Sequence, residues 1–127
     1  MAIIEISDGT NIRGKTTQLF NLSGTNATGT LDVSGLAGGS STANAAKVKI
    51  VDVAWSTSGL ITIAFTDGSN DDAVLTLNGN GNWKELHIEE QTATRNDIKV
   101  TSSTGSSSIT ITLRKVAGFT DRTDYSG

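Results

Sequence analysis

The sequence predicts an all-β fold, an antiparallel β-sandwich or jelly-roll-like barrel with an extended N-terminal arm and a C-terminal tail. Three observations carry this. Between residues 47 and 116, short runs rich in Val, Ile, Thr and aromatics recur, several of them alternating apolar with polar and each bounded by Gly, Ser, Asn or Asp. That is the pattern of antiparallel strands joined by tight turns. Gly, Ser and Thr together exceed a third of the chain; Thr suits a pleated surface and Gly and Ser suit turns, so the excess belongs to strands and their connections. Proline is absent, which leaves turn formation to Gly, Asn and Asp. At 127 residues there is room for one domain, divided into 1–46, an N-terminal strand and arm; 47–116, the core; and 117–127, the tail.

Taken in order, Ala2 to Ser7 reads as a short edge strand, closed by a turn at Ser7-Asp-Gly-Thr10 where Gly supplies a positive φ. A second extended piece runs from Lys15 to Leu22. From Ser23 to Ala46 the residues are small and polar, with few large apolar side chains to offset the entropy of ordering the backbone; this segment is expected to be an arm that orders by packing on the core or on neighbouring subunits. In the core, Ile61, Ile63 and Phe65 share one face, and Ser56-Thr-Ser-Gly59 is expected to turn the chain back on the Lys47–Trp55 strand as a hairpin. The apolar register changes within that earlier strand, from Val48 and Ile50 to Val51, Val53 and Trp55. Either a bulge lies near Ile50 and Val51 or the strand is buried on both faces. Leu75 and Leu77, Leu86 and Ile88, Ile98 and Val100, and Ile109, Ile111 and Leu113 supply further inward rows, which two facing sheets would use. The end, Ala117 to Gly127, has no strand periodicity; its rings, Phe119 and Tyr125, are either part of a frayed terminus or anchors on a neighbour.

Composition excludes several chemistries. With no cysteine there is no disulfide framework, thiolate nucleophile or Cys-ligated zinc. The first residues have no basic start and Glu5 interrupts their apolar run, so neither a signal peptide nor a membrane span is expected. The net charge of −3 is spread evenly along the chain, which argues against nucleic acid as the main partner, although a strand surface could gather Lys47, Lys49, Lys99, Arg114 and Lys115. His87 shares a strand face with Trp83, Glu85 and Glu89, the composition of an acid-base pair or of a solvated surface alike. Asp67-Gly-Ser-Asn-Asp-Asp72 offers hard oxygens but lacks the EF-hand pattern and sits where a hairpin turn is needed. Asn78-Gly-Asn-Gly-Asn82 is not a phosphate loop, since no Lys follows, and is expected to turn the chain before Trp83. Trp55 and Trp83 could form a sugar-stacking platform; core burial is the expected use. No nucleophile has a base at an informative spacing, so the chain is read as non-enzymatic, with no cofactor and no metal.

The runs Val48 to Phe65, Val74 to Trp83, Asn96 to Ser102 and Ser108 to Lys115 resemble small virion structural proteins of tailed bacteriophages, most of all the β-rich head decoration or cement proteins. The resemblance covers roughly residues 47 to 116. It implies a protein made in the host cytoplasm, often a homotrimer, that resides on the capsid surface of the virion, binding the major capsid protein and neighbouring copies of itself. The expected contact residues are Ile3, Ile4, Ile6, Leu19, Phe20 and Leu22 in the arm and Phe119 and Tyr125 in the tail. The alternatives are a carbohydrate-binding or adhesion module and a tail or head-fibre component.

Overall fold

A computed structural model describes residues 2–8, 14–36, 38–39, 46–92 and 94–119. The chain is all-β: one curled antiparallel sheet that forms a half-barrel. Its strands are β1 (Ala2–Asp8), β2 (Lys15–Ser23), β3 (Ala27–Leu31), β4 (Lys47–Thr66), β5 (Asp71–Trp83), β6 (Asp97–Ser102) and β7 (Ser106–Ala117). Their order is β1-β2-β7-β4-β6-β3, with β5 on the other edge of β4. A three-residue 3-10 turn, Val33–Gly35, is capped by the Asp32 carboxylate, which accepts from the Ser34 N–H.

β4, twenty residues long, is the spine. Its first half pairs with β7 and its second half with β6, both antiparallel and along the same edge. β2 and β3 follow suit, β2 on β7 and β3 on β6. The sheet is therefore creased along one line, which crosses β2–β3 at Gly24–Asn26, β6–β7 at Ser103–Gly105 and β4 at Ser58–Gly59 (Fold line residues pair as Ser23 with Ser106, Ala27 with Ser102 and Thr57 with Ser107). Gly24 and Gly105 adopt φ of 99° and 73°, values that only glycine reaches without strain. The crease is held by Gly24 N–H to Gly105 O at 3.0 Å and Ser103 N–H to Leu60 O at 2.8 Å.

This corrects the expected hairpin at Ser56–Gly59. The segment is part of one continuous strand, and its small residues serve a fold line instead of a reversal. Asn78–Asn82 is likewise not a turn: it lies within β5, where Gly79 has φ 63° and the register slips against Ser56 and Leu60. The register change near Ile50 is a bulge, between Ile50 and Asp52, in a central strand. The expected turn at Asp67 does join β4 to β5.

Of the two expected ways for the arm to order, residues 15–36 take the first and pack on this chain's own core. β2 lies between β1 and β7, and Phe20, Leu22, Val33 and Leu36 are buried in the core with Ile61, Ile63, Phe65, Ile98, Ile109, Ile111 and Leu113. Nine cross-strand pairs with β7 satisfy the backbone of β2, so this stretch gains from ladder hydrogen bonds what its small residues cannot supply by burial alone. Residues 9–10 of the first expected turn and residues 40–45 lie outside the described residues. One end of the core is polar. Gln18 donates to Thr16 Oγ1 at 2.8 Å, Thr16 donates to Ser7 O at 2.9 Å, and the buried Lys115 ammonium stands 4.9 Å from the Phe119 ring centroid.

Candidate functional site

β1 ends the sheet, and the outer edge of its backbone has no strand partner among the described residues. Alternation decides what each face of β1 does. Ile3 stands opposite Phe20 and packs against the core, whereas Ile4 stands opposite Leu19 on the other face. Ile6 falls at a register shift between Glu5 and Ser7 and is the extra residue of a β-bulge. The result is an edge strand presenting two isoleucines to solvent, Ile4 at 47% and Ile6 at 57% exposure. Edges of this kind are templates for further pairing unless they are bulged, charged or covered.

The expected contact residues thus separate. Ile4 and Ile6 are surface residues, and Leu19 is half-buried beside Ile4. Phe20, Leu22 and Phe119 are buried in this chain's own core, and Ile3 is partly buried against it. Phe20 and Leu22 point inward because they share a face of β2 with Thr16 and Gln18, which are also buried. That alternation is present in the sequence, but the polar Thr and Gln at the inward positions conceal it. Tyr125 lies outside the described residues.

The two tryptophans are used differently from each other. Trp55 lies across Gly81, where a Cβ would come within 2.7 Å of the indole, and its Nε1–H donates to Asn78 O at 2.8 Å. Trp83 meets it edge-on, with ring centroids 5.8 Å apart and planes at 70°, yet remains 48% exposed. The expectation of core burial therefore holds only for Trp55, which packs partly against the core.

Around the β4–β5 turn, carboxylates pair with cations. Lys99 donates to Asp71 at 2.8 Å and Arg95 to Asp72 at 2.6 Å. The Asn70 and Ser69 N–H groups donate to Asp67 Oδ1 and hold that carboxyl below its usual range; Asp71 is lowered by Lys99 and then Thr66. Asp97 goes the other way. Burial raises its pKa, against the Val33 N–H that donates to it at 3.0 Å, and the nearby charge of Asp32 adds to the rise. Asp32, Asp67 and Asp97 line one cleft of about 210 Å³ with Asn96. Among the described residues no group of three or more His, Asp or Glu side chains is arranged to hold a metal ion.

His87 follows the end of β5 and is exposed, between the half-buried Leu86 and Ile88. Trp83 ends β5, the Leu86 N–H donates to Val51 O at 2.8 Å and Ile88 forms an isolated bridge with Ile50, so the run Trp83 to Ile88 lies along β4 without forming a strand of its own. No family model matches the sequence, and no curated protein matches it.

Proposed function

We propose that this chain is a non-enzymatic decoration or cement protein of a tailed-phage head, which binds the outer surface of the assembled shell and stabilises the contacts between capsomers. The observation that carries the reading is β1, a sheet edge with no strand partner among the described residues and with Ile4 and Ile6 exposed. Such an edge offers main-chain hydrogen bonds and apolar anchors to a neighbouring subunit at once. Binding only the assembled lattice stabilises it by mass action, and repetition over the lattice adds avidity to a modest single contact. The partners are the major capsid protein and further copies of this chain, with a homotrimer favoured, and the place of action is the virion surface.

The test uses heads stripped of the protein. Wild-type chain is expected to co-sediment with them and raise their rupture temperature, and Ile4→Glu/Ile6→Glu is expected to lose both effects while remaining folded. Equal occupancy by this variant and the wild type would remove β1 from the interface. Deleting residues 1–22 is not a usable alternative, because it removes β2 from the middle of the sheet.

One observation favours a second reading. Trp83 is exposed with Asn82 beside it, the surface that a carbohydrate-binding or adhesion module needs. A glycan array separates the two readings: binding that disappears in Trp83→Ala supports the module, and no binding supports the cement protein.

A further inference from the structure

The strand register places three cations in a row that the linear sequence scatters. Lys15 on β2 stands directly opposite Arg114 on β7, and Arg114 directly opposite Lys49 on β4. Like charges opposite one another on a sheet are destabilising, and this row belongs to a chain whose net charge is −3. Other basic residues are engaged elsewhere: Lys47 pairs with Glu90, Lys99 with Asp71, and Lys115 is buried. Lys15, Lys49 and Arg114 form no ion pair with any described residue, and Arg114 Nε is buried with no hydrogen-bond partner. A buried guanidinium nitrogen without an acceptor marks a place where an acceptor is missing.

The three cations line one shallow cleft of about 410 Å³ together with Val51, Leu86, His87 and Glu85. Lys49 Nζ donates to His87 Nδ1 across 3.3 Å, which holds the imidazole at the rim. Glu85 is the one carboxylate of the lining; its backbone is left-handed, φ 61°, and its N–H donates to Asp52 at 3.1 Å. Three cations stand against one carboxylate in the lining, with the Asp52 carboxylate behind it, so the cleft keeps a positive excess. Neighbouring strands are about 4.8 Å apart, so the row spans roughly 10 Å.

We infer that this cleft binds a phosphate monoester, its dianion held by Lys15, Arg114 and Lys49 and its organic part resting on Val51 and Leu86. A carboxylate is planar and is served by a single guanidinium fork. A tetrahedral dianion takes donors from several directions, which matches cations arriving from three strands. The apolar wall distinguishes an ester from free phosphate.

The test is a titration of the isotope-labelled full chain, followed by NMR, with phenyl phosphate, with orthophosphate, and with sodium chloride at matched ionic strength. Phenyl phosphate is expected to give saturable shifts at Lys15, Lys49, Arg114 and His87, more tightly than orthophosphate, and chloride to give none. Lys49→Gln and Arg114→Gln are each expected to weaken binding on the order of tenfold, the loss of one charge-assisted contact, while the melting temperature of the free variants stays level or rises because a repulsion is removed. Shifts that do not saturate, that chloride reproduces, or that survive both substitutions overturn the site. Equal affinity for orthophosphate and phenyl phosphate overturns the apolar wall.

Discussion

Ser107 sits where β4 passes from β7 to β6, buried, with its hydroxyl 2.6 Å from both Thr57 Oγ1 and Ser102 Oγ. Removing it takes one hydrogen bond from each of two hydroxyls at the fold line, leaving Thr57 Oγ1 with the Gly59 N–H and Ser102 Oγ with Thr104 O, so Ser107→Ala is expected to cost about 1–3 kcal/mol, read by chemical denaturation. Across the same line a Cβ on Gly59 would lie 2.7 Å from Thr104 O, and one on Gly105 would collide with Ser58. Gly59→Ala is expected to destabilise by roughly 1–3 kcal/mol because the obstacle is backbone and cannot rotate away. The carboxylates give a pH signature. The lowered pKa values of Asp67 and Asp71 mean that their ionised forms favour the fold, a contribution present above the ordinary range near 4 and lost as pH falls through their folded values. Asp97 is raised, so its ionised form opposes folding, and that cost is relieved as pH falls through its folded value. Melting curves from pH 7 to pH 3 are therefore expected to show Asp67→Asn/Asp71→Asn flattening the acid loss, whereas Asp97→Asn is more stable than wild type at neutral pH and loses that advantage in acid.

At the scale of elements, the inward rows were legible in the sequence for the central strands, whereas of the other expected rows Leu77 is buried and Leu75, Leu86 and Ile88 are only partly so. Ile61, Ile63 and Phe65, Ile98 and Val100, and Ile109, Ile111 and Leu113 are all fully buried, because a period of two needs no tertiary information. Where Gly and Ser interrupt a strand, local chemistry is ambiguous: the residues that let a chain reverse also let a sheet crease, and only the register with β6 and β7 separates the two outcomes for Ser56–Gly59. β2 was legible as an extended piece from Lys15 to Leu22, but its place in the core was not, since its inward face includes Thr16 and Gln18. The exposed half of β1 was legible as apolar residues on an edge, but which isoleucines face solvent depends on pairing with β2. The basic row was legible only in part: Lys49 and Arg114 were among the cations a strand surface could gather, but Lys15 joins them, and Lys47, Lys99 and Lys115 leave, only through long-range register. For β1 itself, Ile4→Glu/Ile6→Glu is expected to change stability by no more than about 0.5 kcal/mol for each exposed site, which separates its effect on shell binding from any effect on the fold.

For the whole molecule, most strand pairings join elements distant in sequence, as β2 does with β7 and β3 with β6, beside the sequence-adjacent pairs β1–β2 and β4–β5. Topologies of this kind close long loops before their contacts repay the entropy, and fold in milliseconds to seconds. The chain has no proline, so stopped-flow refolding is expected to lack the phase of tens of seconds that prolyl isomerisation imposes. β4 also gives the molecule a direction. A tension applied along its axis loads the ladders to β5, β6 and β7 in shear, many bonds at once, whereas the crease at Ser58–Gly59 is the compliant joint in the same line. Pulled between residues 47 and 66, the protein should first lengthen by straightening that joint and only then resist, a shock absorber in series with a stiff strap.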